Sequence, residues 1–419
     1  MNNIPGYLRY KKAKNEKSPV WFIDCRNTDF SPTSSLWHTK INKEITGTLN
    51  EIHTPYWEEP ILIKCHVGEK KCSTRMLPHF ALSTISHFKS RGMKRIVAGD
   101  STVAYSGDRG YKENNAQCTR YMSLARTHGW SEEGPLGIPF VVLDRPMTSV
   151  EGTFSFKDEE IAFMTHNAKR FREVYLAGGF AAAGTIVNHI HLTLHDMAQL
   201  AGAVKGITMG GSSRKGKLVM HQCYSPHIHE KLCTRCGTCA SKCPEEALMW
   251  NEGEVPQLLE EKCIGCGECL AVCKGKHISM CAHEVEDWLR GSLTLPYRMA
   301  DYMMGMMEGR WERLLNIMHM YTITRCCDCL DKEQKSLIYS LGFLVGRNPF
   351  AVDLMATYLM HEEIYTRVQE GTICADKDLD KTEILKIFFP HYHGLMPYRH
   401  IQDEYAIVVE PEPIQVTMS

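Results

Sequence analysis

Eight cysteines between residues 233 and 273 constrain this chain more than any other feature. They form two sets, Cys233-Thr-Arg-Cys236-Gly-Thr-Cys239-Ala-Ser-Lys-Cys243 and Cys263-Ile-Gly-Cys266-Gly-Glu-Cys269-Leu-Ala-Val-Cys273. Each set has the spacing C-x2-C-x2-C-x3-C, with which bacterial proteins bind a cubane iron–sulfur cluster. The two-residue gaps let three thiolates converge on one cluster from a single tight loop. The pattern therefore predicts two 4Fe–4S clusters in one short segment.

The fourth cysteine of each set is expected to bind the cluster of the other set, as in two-cluster ferredoxins. One cluster would then be bound by Cys233, Cys236, Cys239 and Cys273, and the other by Cys263, Cys266, Cys269 and Cys243. The alternative is a pair of zinc sites, because zinc also binds paired C-x2-C motifs. Two four-cysteine sets, with Pro244 directly after the first, are not typical of zinc ribbons and favour the clusters.

The remaining composition is that of a metal-binding redox protein. The chain has 18 cysteines and a formal net charge of −1, from 48 Lys and Arg against 49 Asp and Glu. A chain so close to neutral gives no electrostatic reason to expect nucleic acid as a partner. It has no apolar run long enough to span a bilayer, and its N-terminus lacks the apolar region of a secretory signal. We therefore expect a cytoplasmic protein, of an anaerobe or of an organism that protects such clusters from oxygen.

Strands alternate with helices outside the cysteine sets, which predicts an α/β fold with a mostly parallel sheet flanked by helices. We expect strands at 20–24, 61–64, 95–100, 139–144, 173–177 and 184–188, and helices at 76–92 and near 193–205. A methionine-rich stretch at 283–320 predicts further helical packing. Sheets of this kind usually bind ligands at the carboxyl ends of their strands.

The chain is predicted to have four regions. The α/β domain has a first part at 1–225 and a second part at 283–374, and a C-terminal tail at 375–419 wraps the surface. Between the two parts lies a small inserted α+β domain of ferredoxin type, residues 226–282, called the Cys-rich segment below.

The motifs on both sides of the Cys-rich segment resemble a conserved family, domain of unknown function 362, which is often found in iron–sulfur proteins. The resemblance covers about residues 60 to 370 and rests on motifs that follow one another in order: IKCHVGE at 63–69, GDSTVAYSGDRG at 99–110, VNH at 187–189, GAVKGITMG at 202–210, SRKGK at 213–217, His221, RMADY at 298–302, CDC at 327–329 and GRNPFAVD at 346–353. It implies a fold and a redox setting. It implies no substrate, because the activity of the family is unsettled.

A further cysteine motif, Cys326-Cys327-Asp328-Cys329, lies outside the Cys-rich segment. Cys327 and Cys329 can bind a third metal or iron–sulfur centre if other ligands come from elsewhere in the chain. An incomplete ligand set would leave the open coordination position that a catalytic metal requires, and Asp328 could orient a ligating histidine. The alternative is a turn with free, reduced thiols. The candidate additional ligands are His66, His189, His221, Cys65 and Cys223.

His189, His191 and His195 form another candidate metal site. In a strand, residues 189 and 191 share a face, whereas on a helix residues 191 and 195 do. Ordinary core or surface histidines are the alternative. His66 follows a predicted strand and lies near Glu69, and a carboxylate can orient a histidine for acid–base chemistry.

Residues 210–217, GGSSRKGK, match the phosphate-binding pattern G-x4-G-K in form. The next residue is Leu218, so the hydroxyl that binds Mg²⁺ in nucleoside triphosphatases is absent. Arg214, Lys215 and Lys217 remain an expected anion site for a carboxylate or phosphate group.

The leading hypothesis is an iron–sulfur oxidoreductase that exchanges electrons with a partner protein and passes them to a small anionic substrate or cofactor. Its site in the α/β domain would be built from His66, Asp100, Arg109, Lys205, His221 and the segment 326–329. A chain without G-x-G-x-x-G after a strand gives no support to a nicotinamide or flavin site. The main alternative is a non-enzymatic electron carrier or metal-centre assembly factor, which predicts bound clusters but no pocket for a small molecule. A third hypothesis is a metal-dependent enzyme whose clusters are purely structural.

Overall fold

The computed structural model describes residues 16–52, 56–146, 152–195, 197–221, 224–275, 277–282, 295–373, 378–388 and 396–418. Its strands are β1 (Ser18–Asp24), β2 (Ile61–Lys64), β3 (Ile96–Asp100), β4 (Phe140–Val142), β5 (Glu160–Met164), β6 (Glu173–Ala177), β7 (Thr185–His191), β8 (Thr193–His195), β9 (Gln199–Ala201), β10 (Tyr224–Ile228), β11 (Leu248–Met249), β12 (Gln257–Leu258), β13 (Ile278–Ala282), β14 (Leu314–Thr324), β15 (Ser336–Gly346) and β16 (Pro411–Val416). Its helices are α1 (Ser35–Glu51), α2 (Leu82–Ser90), α3 (Thr119–Thr127), α4 (Gly178–Ala182), α5 (Ala203–Gly211), α6 (Arg214–His221), α7 (Thr238–Ser241), α8 (Glu268–Val272), α9 (Leu295–Met306), α10 (Pro349–Glu370), α11 (Lys381–Phe388) and α12 (Met396–Tyr405).

Eight of these strands form one sheet in the order β16-β1-β15-β14-β7-β2-β3-β4. The strands from β14 to β4 are parallel to one another, β15 is antiparallel to both of its neighbours, and β16 is parallel to β1. Helices cover both faces of the sheet, so the side chains that project from either face are buried. Ile61 and Ile63 pack with α1 and α2 on one face, whereas Leu62 packs with α5 and α9 on the other. The predicted α/β fold with a mostly parallel sheet is confirmed.

The early strand predictions agree closely with the structure. The predicted strands at 61–64 and 95–100 are β2 and β3, and the predicted helix at 76–92 is a 3₁₀ turn, Pro78–Ala81, followed by α2. The strand predicted at 173–177 exists as β6, but it pairs with β5 in a separate two-stranded sheet.

Three predictions of local structure are wrong. The helix expected near 193–205 is instead the hairpin β8–β9, after which α5 begins at Ala203. The helical packing predicted for 283–320, of which 283–294 lie outside the described residues, is confirmed in α9, whose methionines are buried, but it is wrong for residues 314–320, which belong to the strand β14. That strand is buried along almost its whole length. A strand buried on both faces lacks the alternation of apolar and polar residues, so its sequence cannot be distinguished from that of a buried helix. The expected surface tail contributes β16 to the main sheet.

The Cys-rich segment folds as two similar halves. Each half carries one set of cysteines and one short helix, α7 or α8, preceded by Gly237 or Gly267 with positive φ. The outer strands β10 and β13 pair with each other, and so do the inner strands β11 and β12. No helix in the described part of the chain is long and apolar enough to cross a membrane.

Candidate functional site

The carboxyl ends of four parallel strands bring the predicted site residues together. Lys64 ends β2, Asp100 ends β3, His191 ends β7, and the turn at 326–329 follows β14. Because parallel strands end at the same edge of the sheet, side chains far apart in sequence meet there.

A cavity of about 160 Å³ lies at this edge. All five residues expected to form the catalytic site line it, namely His66, Asp100, Arg109, Lys205 and His221. Cys327 and Cys329 line the same cavity, as does Cys266 of the Cys-rich segment. The structure therefore brings the sequence motifs of three regions together around one cavity.

Arg109 is the centre of a buried polar network on one wall of the cavity. Its Nε atom donates to Oε1 of Glu69 at 2.7 Å, and its Nη2 atom donates to the hydroxyl of Tyr105 at 2.7 Å. Its Nη1 atom is 3.1 Å from both Oδ2 of Asp100 and Nε2 of His66. The sequence suggested that Glu69 orients His66 directly. In the structure, Arg109 lies between them and contacts both side chains.

Two lysines add positive charge to the cavity wall. Lys64 is buried, with its Nζ atom 3.0 Å from Oδ1 of Asp100. The Nζ atom of Lys217 donates to Oγ of Ser101 at 2.8 Å and to the carbonyl of Ser212 at 2.5 Å. Burial lowers the pKa of Lys217 to about 8. An ammonium group has three donors, so each lysine can still donate to an anion in the cavity.

The expected anion site of three basic residues is divided by the structure. Residues 214–221 form α6, and of the three only Lys217 lines the cavity. Arg214 pairs with Glu245 of the Cys-rich segment, and Lys215 lies exposed over the ring of Tyr175.

His66 and His221 are held in the neutral form. Burial lowers the pKa of His66 well below its usual range, and the charge of Arg109 lowers it further. Burial lowers the pKa of His221 to about 4. The Nδ1 atom of His221 lies 3.2 Å from the carbonyl oxygen of Gly265, so a neutral ring with its proton on Nδ1 ties α6 to the second set of cysteines.

The turn at 326–329 places a thiol beside a lysine. The Nζ atom of Lys205 is 3.6 Å from Sγ of Cys327, and the amide of Cys329 donates to the same sulfur at 3.3 Å. A hydrogen bond from the Cys329 thiol lowers the pKa of Cys327, and the positive charge of Lys205 lowers it further. Burial lowers the pKa of Lys205, but the charges of Cys327 and Cys329 raise it more, so that it is raised overall. Cys327 is therefore poised as a thiolate.

Asp328 anchors this turn. Its Oδ2 atom is 2.6 Å from Nδ1 of His191, and its Oδ1 atom accepts from the thiol of Cys72 at 3.2 Å. The Nε2 atom of His191 is 2.6 Å from the carbonyl oxygen of Tyr321. Burial lowers the pKa of His191, but the charge of Asp328 raises it more. Asp328 therefore orients a histidine, as expected, but this histidine is a protonated anchor and not a metal ligand.

The three histidines of the predicted trio have different surroundings. Both ring nitrogens of His189 are engaged, Nδ1 with His319 and Nε2 with Thr84, each at 2.9 Å. All three line the cavity, and His195 lies at the end of β8. One of its ring nitrogens and the sulfurs of Cys327 and Cys329 all lie within 4.8 Å of one another.

Several of the cysteines in the Cys-rich segment have neighbours from the other set, as crossed ligand sets would require. Burial raises the pKa of Cys239, and the nearby Cys233 and Cys273 raise it further. Burial likewise raises the pKa of Cys266 to about 12, with further contributions from Cys243 and Cys263. Cys273 therefore lies near members of the first set and Cys243 near members of the second, while Cys269 lies near both Cys266 and Cys239.

The surroundings of these sulfurs suit bound clusters. Backbone amides donate to Sγ of Cys233, Cys243 and Cys273 at 3.4, 3.2 and 3.3 Å, and such bonds favour the thiolate that binds iron. A small cavity in the segment is lined by the four cysteines expected to hold the second cluster, Cys243, Cys263, Cys266 and Cys269. The residues present therefore fit two cubane clusters.

The second set of cysteines also borders the larger cavity. Cys266, Gly267 and Glu268 line it. Burial raises the pKa of Glu268 to about 7, and the charge of Glu69 raises it further. Sequence reasoning missed Glu268, as well as Lys64 and the part played by His195. Lys64 had a detectable signal, a lysine at the end of an otherwise apolar strand.

Fold and site together define an α/β protein with a charged cavity at the strand ends and a cysteine-rich insertion beside it. The family described as Domain of unknown function (DUF362) matches residues 61–358, so this chain belongs to that family. No curated protein and no solved structure matches the chain.

Proposed function

We propose that this protein is an iron–sulfur oxidoreductase, in which two 4Fe–4S clusters deliver electrons to a small anionic substrate or cofactor in the cavity. The observation that carries the proposal is that Cys266, a predicted cluster ligand, lines the same cavity as Arg109, Lys205 and Lys217. A cluster held there would be separated from the bound molecule by no intervening domain. Clusters supply one-electron transfer when bound, and the α/β domain supplies the binding site.

The charges of the cavity favour an anion. Arg109 and Lys64 are both paired with Asp100, so their charge is partly neutralised within the wall. Lys217 is hydrogen-bonded only to neutral oxygens in the contacts described above, and its positive charge remains available to a carboxylate or phosphate group. The neutral His66 ring lies beside Arg109 on the cavity wall, and its Nε2 atom accepts from the guanidinium group at 3.1 Å, which helps to hold that group in place.

The cavity also distinguishes the two main hypotheses. An electron carrier or assembly factor requires a docking surface but no cavity lined by cationic side chains. A cavity with the predicted residues on its walls therefore favours the enzyme. The partner protein that would exchange electrons with the clusters stays a prediction of the sequence.

The test is anaerobic oxidation of reduced methyl viologen by the purified protein with a panel of small carboxylate and phosphate-ester acceptors. We expect viologen oxidation with at least one acceptor, loss of this activity in Cys266→Ser, and a decrease of at least about tenfold in Lys217→Met, which keeps the length of the side chain. Lys215→Met, an exposed neighbour on the same helix, is the matched control. Clusters that accept electrons but pass them to no acceptor would contradict the enzyme and support the carrier.

A further inference from the structure

We propose that His195, Cys327 and Cys329 bind a single divalent metal ion of the zinc type, with one coordination position open to the cavity. The site lies at the carboxyl ends of β8 and β14, outside the Cys-rich segment. The site requires no iron–sulfur cluster. Its existence therefore does not depend on the electron transfer proposed above.

The first argument is the spacing and chemistry of the ligand atoms. A nitrogen and two sulfurs within 4.8 Å of one another can bind one ion, whereas the thiolates of a cubane cluster stand around a larger group. Two thiolates and an imidazole are ligands that zinc and related borderline-soft ions prefer. Three protein ligands are typical of catalytic zinc sites, in which water or substrate takes the fourth position.

The second argument is that the turn at 326–329 is rigid without any ion. Asp328 is fixed by His191 and Cys72, and its carbonyl accepts from the amide of Glu69 at 3.0 Å. The flanking residues Cys327 and Cys329 both line the cavity. The amide of Cys329 donates to Sγ of Cys327, as the amide of Arg235 does to Sγ of Cys233 in the Cys-rich segment. Both are i to i+2 bonds that favour a thiolate.

The third argument selects His195 from the neighbouring histidines. His189 and His191 use both ring nitrogens in bonds within the protein. The backbone amides of Met197 and Ala198 lie 3.1 and 3.0 Å from Nδ1 of His195 and hold the ring in place. Because the two amides donate to Nδ1, the ring proton of the metal-free protein lies on Nε2, and an ion that binds at Nε2 has to displace this proton.

A bound divalent ion would also change the charge balance of the cavity. Without it, the positive charge of Lys205 is directed to the thiolate of Cys327. A dication neutralises two thiolates, which leaves the charge of Lys205 to act on an anion in the cavity. An anionic oxygen of that molecule, such as one of a carboxylate, would take the open position on the ion.

The experiment uses cobalt as a spectroscopic substitute for zinc. The full chain is produced anaerobically in cells grown with Co²⁺ and depleted of zinc, and cobalt, zinc and iron are counted per chain. We expect one cobalt per chain with a thiolate-to-cobalt charge-transfer band, and loss of both in Cys327→Ser and Cys329→Ser. His195→Ala is expected to weaken cobalt binding by about tenfold or more. Cys326→Ser is the matched control, because that neighbouring thiol contacts Lys332 and is not one of the three proposed ligands.

The iron of the Cys-rich segment reports whether each variant is folded. About eight iron atoms per chain, four for each cluster, should be unchanged in all variants that lose cobalt. Absence of cobalt from the wild type, or equal loss in Cys326→Ser, would overturn the site, and normal affinity in His195→Ala would overturn its third ligand. Iron clearly above eight that returns to eight in the Cys327→Ser/Cys329→Ser double variant would also overturn it, since the turn would then hold an iron–sulfur centre. Failure of the viologen assay alone would leave the cobalt result intact.

Discussion

The Nζ atom of Lys205, on α5, lies 3.6 Å from the Sγ atom of Cys327, in the turn after β14. The two residues are far apart in sequence, and their contact depends on the parallel pairing of β7 with β14. The contact couples the charge of the lysine to the protonation of the thiol. It also places a nucleophilic sulfur in a cavity that Cys266 borders.

Removing the charge of Lys205 should raise the pKa of Cys327. In metal-depleted protein, we expect Lys205→Met to move the pH midpoint of Cys327 alkylation by iodoacetamide upward by about one unit or more, since a nearby cation favours the thiolate. Peptide mapping by mass spectrometry measures alkylation at this cysteine alone.

A lysine–cysteine contact on the surface provides the matched control. The Nζ atom of Lys332 is 3.3 Å from Sγ of Cys326, but Lys332 is exposed and its charge is screened by water. Lys332→Met should therefore leave the midpoint of Cys327 unchanged. An unchanged midpoint in Lys205→Met would show that the hydrogen bond from Cys329 alone sets the pKa.

Anion binding in the cavity should weaken as the pH rises through about 8. Burial lowers the pKa of Lys217 to about 8, so this lysine loses its proton, and with it its positive charge, at a pH at which an exposed lysine stays charged. Oxalate is a suitable probe, because its own charge is constant in this range. We expect its dissociation constant, measured by calorimetry, to rise about tenfold between pH 7 and pH 9.5.

The variant Lys217→Met should bind oxalate weakly at every pH, with little change between pH 8 and pH 9.5, where Glu268 of the same cavity is already ionised because its pKa is about 7. The exposed Lys215 provides the comparison, and Lys215→Met should keep the wild-type pH profile. A pH dependence that survives in Lys217→Met would assign the titration to another group of the cavity.

The sequence predicts the strand ends well and the contacts between them poorly. Lys64 and Asp100 could be placed at one edge of the sheet because short apolar runs precede them and because parallel strands end together. The position of His195 could not be predicted, because the residues around it were interpreted as a helix. The hairpin β8–β9 includes Gln199 with a φ of 61°, and such a turn has no helical or strand period.

The division of the basic residues at 214–217 could not be predicted either. A glycine-rich pattern suggests a loop in which neighbouring cations act together. On the helix α6, however, successive residues point about 100° apart, so Lys217 enters the cavity while Lys215 faces solvent. Arg214 forms an ion pair with Glu245. This pair could not be predicted, because the spacing of residues in the sequence does not show where the Cys-rich segment packs.

Acid should destabilise the protein through its buried neutral histidines. Burial lowers the pKa of His189 to about 3, so the folded protein keeps this ring neutral while the unfolded chain binds a proton near pH 6.5. The stabilisation is fully present above pH 6.5 and is lost as the pH falls toward 3. Each such group contributes up to about 1.4 kcal/mol per pH unit to the slope of unfolding free energy in this window.

Urea denaturation at pH 7.5, 6.5 and 5.5 measures this slope. His189→Asn should make the slope shallower by about one proton, whatever its effect on stability at pH 7.5. His166, which is exposed, provides the control, and His166→Asn should leave the slope as it is. An equal slope in His189→Asn and the wild type would mean that His189 is protonated in the folded protein.

The N-terminus of α10 should depend on one buried side chain. The Oδ1 atom of Asn348 accepts from the amides of Phe350 and Ala351 at 3.0 and 3.3 Å, and its Nδ2 atom donates to the carbonyl of Val408 at 2.7 Å. Loss of an N-cap costs about 1 to 2 kcal/mol, and an unpaired buried carbonyl adds about 1 to 3 kcal/mol. Asn348→Ala should therefore lower the free energy of unfolding by about 2 to 4 kcal/mol.

Ser34 is the N-cap of α1 but makes no capping bond with its side chain, so Ser34→Ala should cost less than about 0.5 kcal/mol. Because Val408 precedes β16, amide exchange in β16 should also become faster in Asn348→Ala, and unchanged exchange there would show that the C-terminal strand is held without this bond.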